Sequence, residues 1–267
     1  MRRDVLELRR FYASPLGRAV REMVGRKLQE AWDNPRGLDI LGLGYATPFL
    51  EGPGSARRVV AAMPAAQGVE AWPHDGKNLA CLMDEAALGF PNALFDRILV
   101  VHGLEESDDP VALLREVWRV LAPSGRVIIV AASRLGIWSD AEKTPFGHGR
   151  PYTRRQLEDL VREAELEPTA WSRALYAPPL EWTAGWAEAF EQLGSRLWPQ
   201  FSGLILLEAV KQTFAVKPKA PRLRAKAVAG ALRPVPVGPI LEPASRFDKT
   251  GVTPRYDPSR RPRRTMP

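Results

Sequence analysis

The residues that could do chemistry fall in a few short stretches of the chain. The apolar run Gly37 to Leu41 leads straight into Gly42-Leu43-Gly44-Tyr45-Ala46, and Thr47-Pro48 then marks a helix start. Glycines after a strand let the backbone turn sharply and approach a ligand, with helix amides behind it. A dinucleotide fingerprint would need glycine at 47, where Thr47 stands, and an acid at the end of the next strand, where Ala61-Ala62-Met63 stands. A nicotinamide dehydrogenase is therefore disfavoured. His102 follows the strand-like run Arg97 to Val101, at the strand end where open parallel sheets hold ligands. It could take a proton as a base, or hydrogen-bond to backbone and shape the turn.

From Ser133 to Tyr152 the sequence has little periodicity and carries Trp138, Phe146, His148, Arg150 and Tyr152. A loop of this length either serves recognition as a lid or packs on itself as a surface loop. Arg150 offers a planar fork for a carboxylate or phosphate, and with His148 and Tyr152 it forms a candidate substrate-binding set. His74, His102 and His148 are too scattered for metal-ligand spacing, so no metal is expected. The single cysteine, Cys81, cannot close an intramolecular disulfide.

The elements that must position these residues alternate in type. Ser14-Pro15 reads as a helix start, with Leu16, Val20, Met23, Val24 and Leu28 recurring at helical spacing to about Trp32. Strand-length runs follow at 37–41, 58–62, 79–83 and 97–101. Asp109-Pro110 opens a second helix, for which Gly125 is the expected left-handed stop. Arg126 to Ala131 is continuously apolar after its first residue, as a strand buried on both faces should be. Thr153 and Gln156 spell a capping box for a helix to about Glu165, and Gly203 to Val210 reads as the last strand. The stripe Trp182, Trp186, Phe190, Leu193 and Leu197 is expected to face the core. Alternation of this kind implies an α/β, doubly wound, mostly parallel Rossmann-like sheet, with the helix at 14–32 preceding a sheet over 37–211.

Hydrophobic residues make up 45% and charged residues 26% of 267, enough to bury a sizeable core. The net charge of +7 is unevenly placed. Residues 217–267 hold thirteen Lys and Arg against three Asp and Glu, leaving 25 basic and 28 acidic residues in 1–216. That tail also has ten of the 25 prolines, a composition that cannot offset ordering entropy, and it is expected to be disordered and to meet an anionic partner. The organisation expected is a folded domain over 1–216 and a basic tail over 217–267. The charged start Met1 to Arg10 lacks the apolar core of an export signal, and no apolar run reaches membrane-spanning length, so a cytoplasmic protein is expected.

The stretch Leu88 to Val130 resembles the class I S-adenosylmethionine (SAM)-dependent methyltransferase family. It matches that family's LPF-type start, Phe-Asp strand (Phe95-Asp96), His-x-Leu-Glu turn (His102 to Glu105), capped helix and Arg-Val-Leu-x-Pro strand entry (Arg119 to Pro123). The resemblance covers most of residues 10–211 and implies SAM as cofactor. It also implies Gly42, Gly44 and Tyr45 beneath the methionine part, Asp84 or Glu85 near adenine, and His102 as the candidate catalytic group. Ile40, Ala46 and Met63 depart from the family's acidic, glycine and ribose-binding positions, and Asp39 is one residue off, which on a strand turns it to the other face. No Asn/Asp-Pro-Pro-aromatic motif follows Val101. Two functions are implied: methyl transfer to an unidentified acceptor substrate, or a non-catalytic methyltransferase-like protein that binds an anionic partner through its tail.

Overall fold

Caps set where the helices begin. The computed structural model describes residues 2–32, 34–50, 56–197, 201–211 and 233–234. Asp4 accepts a hydrogen bond from the Leu6 amide and opens α1 (Val5–Ala13). The Ser14 hydroxyl accepts from the Gly17 amide at 3.0 Å and opens α2 (Pro15–Trp32), with proline at a position that needs no donor. Helix α1 lies before the first helix that the sequence reading expects. It forms because Val5, Leu8 and Tyr12, spaced three and four apart, make one buried face. Asp109 caps α3 (Pro110–Val120) through the Ala112 amide, and Thr153 and Gln156 make the reciprocal capping box of α4 (Arg154–Glu163).

The strands are β1 (Asp39–Gly44), β2 (Arg58–Pro64), β3 (Ala80–Met83), β4 (Phe95–Val101), β5 (Leu121–Ala132), β6 (Leu166–Ala174), β7 (Leu204–Lys211) and the two-residue β8 (Arg233–Pro234). They form one sheet in the order β3-β2-β1-β4-β5-β7-β6-β8. The first five run parallel, and β7 pairs antiparallel with β5 and with β6. Ile40, Leu99, Val101, Ile128 and Val130 pack with α1 and α2 on one face. Leu41, Leu43, Ile98, Val100, Val127 and Ile129 pack with α3 and α4 on the other. Both faces are covered, which is why the strands are apolar without alternation. The chain winds outward in opposite directions from β1 and β4, so the crevice of this doubly wound sheet opens at their carboxyl ends.

Three local expectations need correction. Thr47-Pro48 starts only the three-residue 3-10 turn Thr47–Phe49, because Leu50 folds back against Gly42, where a Cβ would lie 2.5 Å from Leu50 Cδ1. Gly125 does not stop α3. The helix ends at Val120, Leu121 is already extended and pairs with Phe95, and Ser124 takes the left-handed φ of +62°. The stripe Trp182 to Leu197 does not face the core: Trp182, Trp186, Leu193 and Leu197 are exposed, and Phe190 alone of the five is partly buried against it. The reason is that α2 already covers this face of the sheet. The 3-10 turn Glu181–Trp186 lies on α2, and α5 (Ala187–Leu197) packs Gly194 against Tyr176. The expected disorder of the tail falls on residues outside those described, except for Arg233–Pro234.

Candidate functional site

The crevice at the ends of β1 and β4 is built by two touching loops. Gly44 has a φ of +81°, and the Tyr45 amide donates to the Val101 carbonyl at 2.7 Å. A Cβ at position 44 would lie 2.2 Å from Val101 O and 2.9 Å from the Gly103 nitrogen, so only glycine allows this approach. His102 follows at a left-handed φ of +50°, and its Nε2 lies 2.8 Å from the Tyr12 hydroxyl of α1. Tyr12 stacks on Tyr45 with ring centroids 5.7 Å apart, and Phe146 lies 4.6 Å from the His102 ring. Burial lowers the pKa of His102 to about 3 and raises that of Tyr12 well above the usual tyrosine value. The imidazole is therefore neutral, and it shares a hydrogen bond with the Tyr12 hydroxyl through Nε2. In this arrangement that ring nitrogen is engaged by a side chain, an alternative to both the free base and the backbone-bonded turn former.

Acidic and amide groups surround that aromatic cluster. Glu105 is buried, and its Oε1 accepts from the Ala132 amide at 3.1 Å while Oε2 has no partner. Burial pushes its pKa up to about 7. Glu85 points inward, accepts from the Ser107 hydroxyl at 3.1 Å and pairs with Arg2, whose other contact is the Gly103 carbonyl. Asp84 is exposed, and its Oδ1 caps the Ala86 amide at 2.9 Å. Of the two neighbouring acids, Glu85 is the one turned toward the crevice. Gln67, after β2, is fully buried with neither amide atom partnered, and Arg2 Nη1 is likewise without a partner. A cavity of about 10 Å³ remains beside His102 and Glu105, lined also by Arg3, Leu8 and His148, with room for about one water.

The segment after β5 is packed by its own aromatics. The Trp138 indole donates to the Ala177 carbonyl at 2.8 Å, and Phe146 is buried between Trp138 and His102. His148 reaches the crevice, where its Nε2 lies 2.6 Å from the Glu142 carbonyl and contacts Arg3. Arg150 holds the Glu105 carbonyl through its backbone amide at 2.7 Å, with its side chain exposed. Tyr152 continues the sheet through the Ala132 carbonyl and packs in the core of the opposite face, where burial lifts its hydroxyl pKa to about 12. His148, Arg150 and Tyr152 thus point to three different surroundings. Asp39 is remote from the crevice, at the amino end of β1, where Arg57 at 2.5 Å holds its carboxyl below the usual carboxylate range.

Arg2 and Gln67 have no motif that marks them in sequence. The Asp4 cap with Val5, Leu8 and Tyr12 at helical spacing is the one signal that could have found α1. The residues present fit a polar cofactor in their chemistry. Gln67, Glu85 and Glu105 follow the ends of β2, β3 and β4, and buried polar atoms without partners are rare unless something else meets them. Arg2, Tyr12 and Tyr45 occupy the space between them.

Residues 38–129 match the family model of a methyltransferase domain. Over 90 residues the chain is 31% identical to a demethylmenaquinone methyltransferase of Lactococcus lactis, covering 33% of this chain and 36% of the relative. Over 63 residues it is 36% identical to a ubiquinone/menaquinone biosynthesis C-methyltransferase of Ralstonia nicotianae, covering 24% and 25%. The chain therefore spans about a third and a quarter of the length of these curated relatives. Among solved structures, a SAM-dependent methyltransferase of Thermotoga maritima superposes with a TM-score of 0.53 at 17% identity, covering 78% of this chain and 96% of that one. The cyclase SpnF superposes with a TM-score of 0.51 at 19% identity, covering 74% and 82%. At these identities the likeness to solved structures is one of fold, and a fold hosts more than one chemistry. Residues 38–129 thus match a methyltransferase domain, and the sheet has the fold of the class I SAM-dependent methyltransferases, for which SAM is the cofactor.

Proposed function

We infer that the protein transfers a methyl group from SAM at the crevice between β1 and β4, to an aromatic acceptor. The observation that carries this reading is the set of buried polar atoms without partners on the loops after β2 and β4, both amide atoms of Gln67 and Oε2 of Glu105. SAM, when bound, would supply an electrophilic sulfonium methyl, whose carbon the acceptor attacks in line as the carbon–sulfur bond breaks and the neutral thioether leaves, so the protein contributes mainly position and orientation. Glu85 meets adenine more readily than Asp84, since Asp84 is spent on its own turn. Gly42 and Gly44 set the loop on which the methionine part rests, and Tyr45 flanks it. For this to happen Arg2 to Tyr12 must leave the crevice, which frees Glu85 from Arg2 and His102 from Tyr12. His102 then regains water contact and a pKa closer to its ordinary 6.5, where it can accept a proton from the acceptor. An aromatic acceptor suits the ring-lined crevice, and the names of the two curated relatives are those of quinone-pathway methyltransferases.

A second reading, a methyltransferase-like protein without turnover, draws support from the crevice being filled by the chain's own rings. Calorimetric titration of SAM and of its demethylated product into the full chain separates the two. The expected result is saturable binding that Glu85→Ala weakens about tenfold or more, the scale of one hydrogen bond to a charged group. No heat from either ligand, with the protein folded, would overturn the first reading and leave the second.

A further inference from the structure

Residues Leu180 to Leu197, with Phe201, present an outer side with no covering element among the described residues. Leu180, Trp182, Trp186, Leu193, Leu197 and Phe201 are exposed, the two tryptophans at 70% and 66%. The inner side of α5 is already used, with Phe190 against the core and Gly194 against Tyr176. Single exposed apolar residues are ordinary, but six large ones along one short stretch mark an interaction surface.

Chemistry selects among partners for this surface. Tryptophan has an apolar body and a polar N–H, a combination suited to the headgroup level of a bilayer, where leucine and phenylalanine enter the acyl boundary. Charge points the same way. Six residues beyond the end of β7 the sequence enters a segment with thirteen basic and three acidic residues. Such a segment is drawn to an anionic surface. A second copy of the chain would bring a second segment of the same sign, which opposes self-association. A nucleic acid would engage the charges and leave six apolar side chains in water.

We propose that the surface formed by Leu180, Trp182, Trp186, Leu193, Leu197 and Phe201 docks on an anionic lipid bilayer, with the basic segment supplying the electrostatic attraction. One weak signal rarely holds a protein on a membrane, whereas an apolar insertion and a polybasic segment together do. This docking does not depend on whether SAM is bound.

The test is flotation of the full chain with vesicles of phosphatidylcholine alone and of phosphatidylcholine with phosphatidylglycerol. The full chain should float with the anionic vesicles only, and brominated lipid should quench part of its tryptophan fluorescence. The double variant Trp182→Ser/Trp186→Ser should keep the wild-type melting temperature yet lose about tenfold or more in partitioning. Equal partitioning of variant and wild type, or no binding by the wild type, overturns the proposal. So does a wild-type dimer in sedimentation that the double variant abolishes, which would make the surface a contact between copies. A rise in iodide quenching of tryptophan when residues 217–267 are removed would also overturn it, since the basic segment itself would then be the cover.

Discussion

Replacing Glu105 by glutamine should change the pH dependence of stability in a way that the wild-type profile conceals. In the fold the Glu105 carboxyl is only 6% exposed, and burial moves its pKa from 4.5 to about 7. At about 1.4 kcal/mol per tenfold, ionising it in place costs on the order of 3 kcal/mol. Because the folded value lies above the unfolded one, this contribution is full below pH 4.5 and is lost as pH rises to about 7. His102 has the opposite sign: its pKa falls from 6.5 to about 3, so its contribution is full above pH 6.5 and is lost as pH falls toward 3. Between pH 4.5 and 6.5 these two slopes nearly cancel, so neither shows in the wild-type profile. Glu105→Gln keeps an acceptor for the Ala132 amide and removes one of the two slopes. Relative to wild type, the variant's stability should then climb by about 1.4 kcal/mol per pH unit across that window, and the excess should reach about 3 kcal/mol above pH 7. Urea unfolding followed by tryptophan fluorescence, at pH values from about 5 to 8, reads this directly. Parallel profiles for the two proteins, or no gain at the alkaline end, would refute the assignment of Glu105 as a buried carboxyl that the fold prefers protonated.

Four further outcomes follow from the geometry. Gly44→Ala puts a Cβ against Val101 O at a left-handed φ, so it should cost about 3 kcal/mol or more; an unchanged melting temperature would mean that the two crevice loops do not touch as described. That cost also makes substitutions at Gly44 a poor probe of cofactor binding, since the fold fails first. Thr153→Ala removes a capping box and should cost about 1 kcal/mol, read by thermal unfolding, whereas Arg150→Ala, with its side chain in solvent, should leave the melting temperature within error. Arg57→Ala strands the buried Asp39 carboxylate, so the variant should lose more stability near neutral pH than in acid, where that carboxyl is protonated; equal losses in both would reject the pairing.

What the sequence by itself determined is what depends on neighbours along the chain. Caps at Ser14, Asp109 and Thr153 each lie three residues from the amide they satisfy, and they fall where expected. The apolar run Arg126 to Ala131 names a strand buried on both faces, and strand-helix alternation names the doubly wound sheet and its open crevice. The glycine loop and His102 are legible for the same reason, since each sits at the end of its own strand. Tertiary structure alone decided what meets at that crevice. Tyr12 and His102 are ninety residues apart, and Arg2 and Glu85 eighty-three; no local pattern encodes such contacts, because they depend on how α1 packs over the sheet. The split of Asp84 from Glu85 was equally invisible, as adjacent residues of one turn face opposite ways. The Trp182 to Leu197 stripe shows the same limit from the other side: periodicity reports that a face is apolar, but whether it is buried depends on α2 having already covered the sheet.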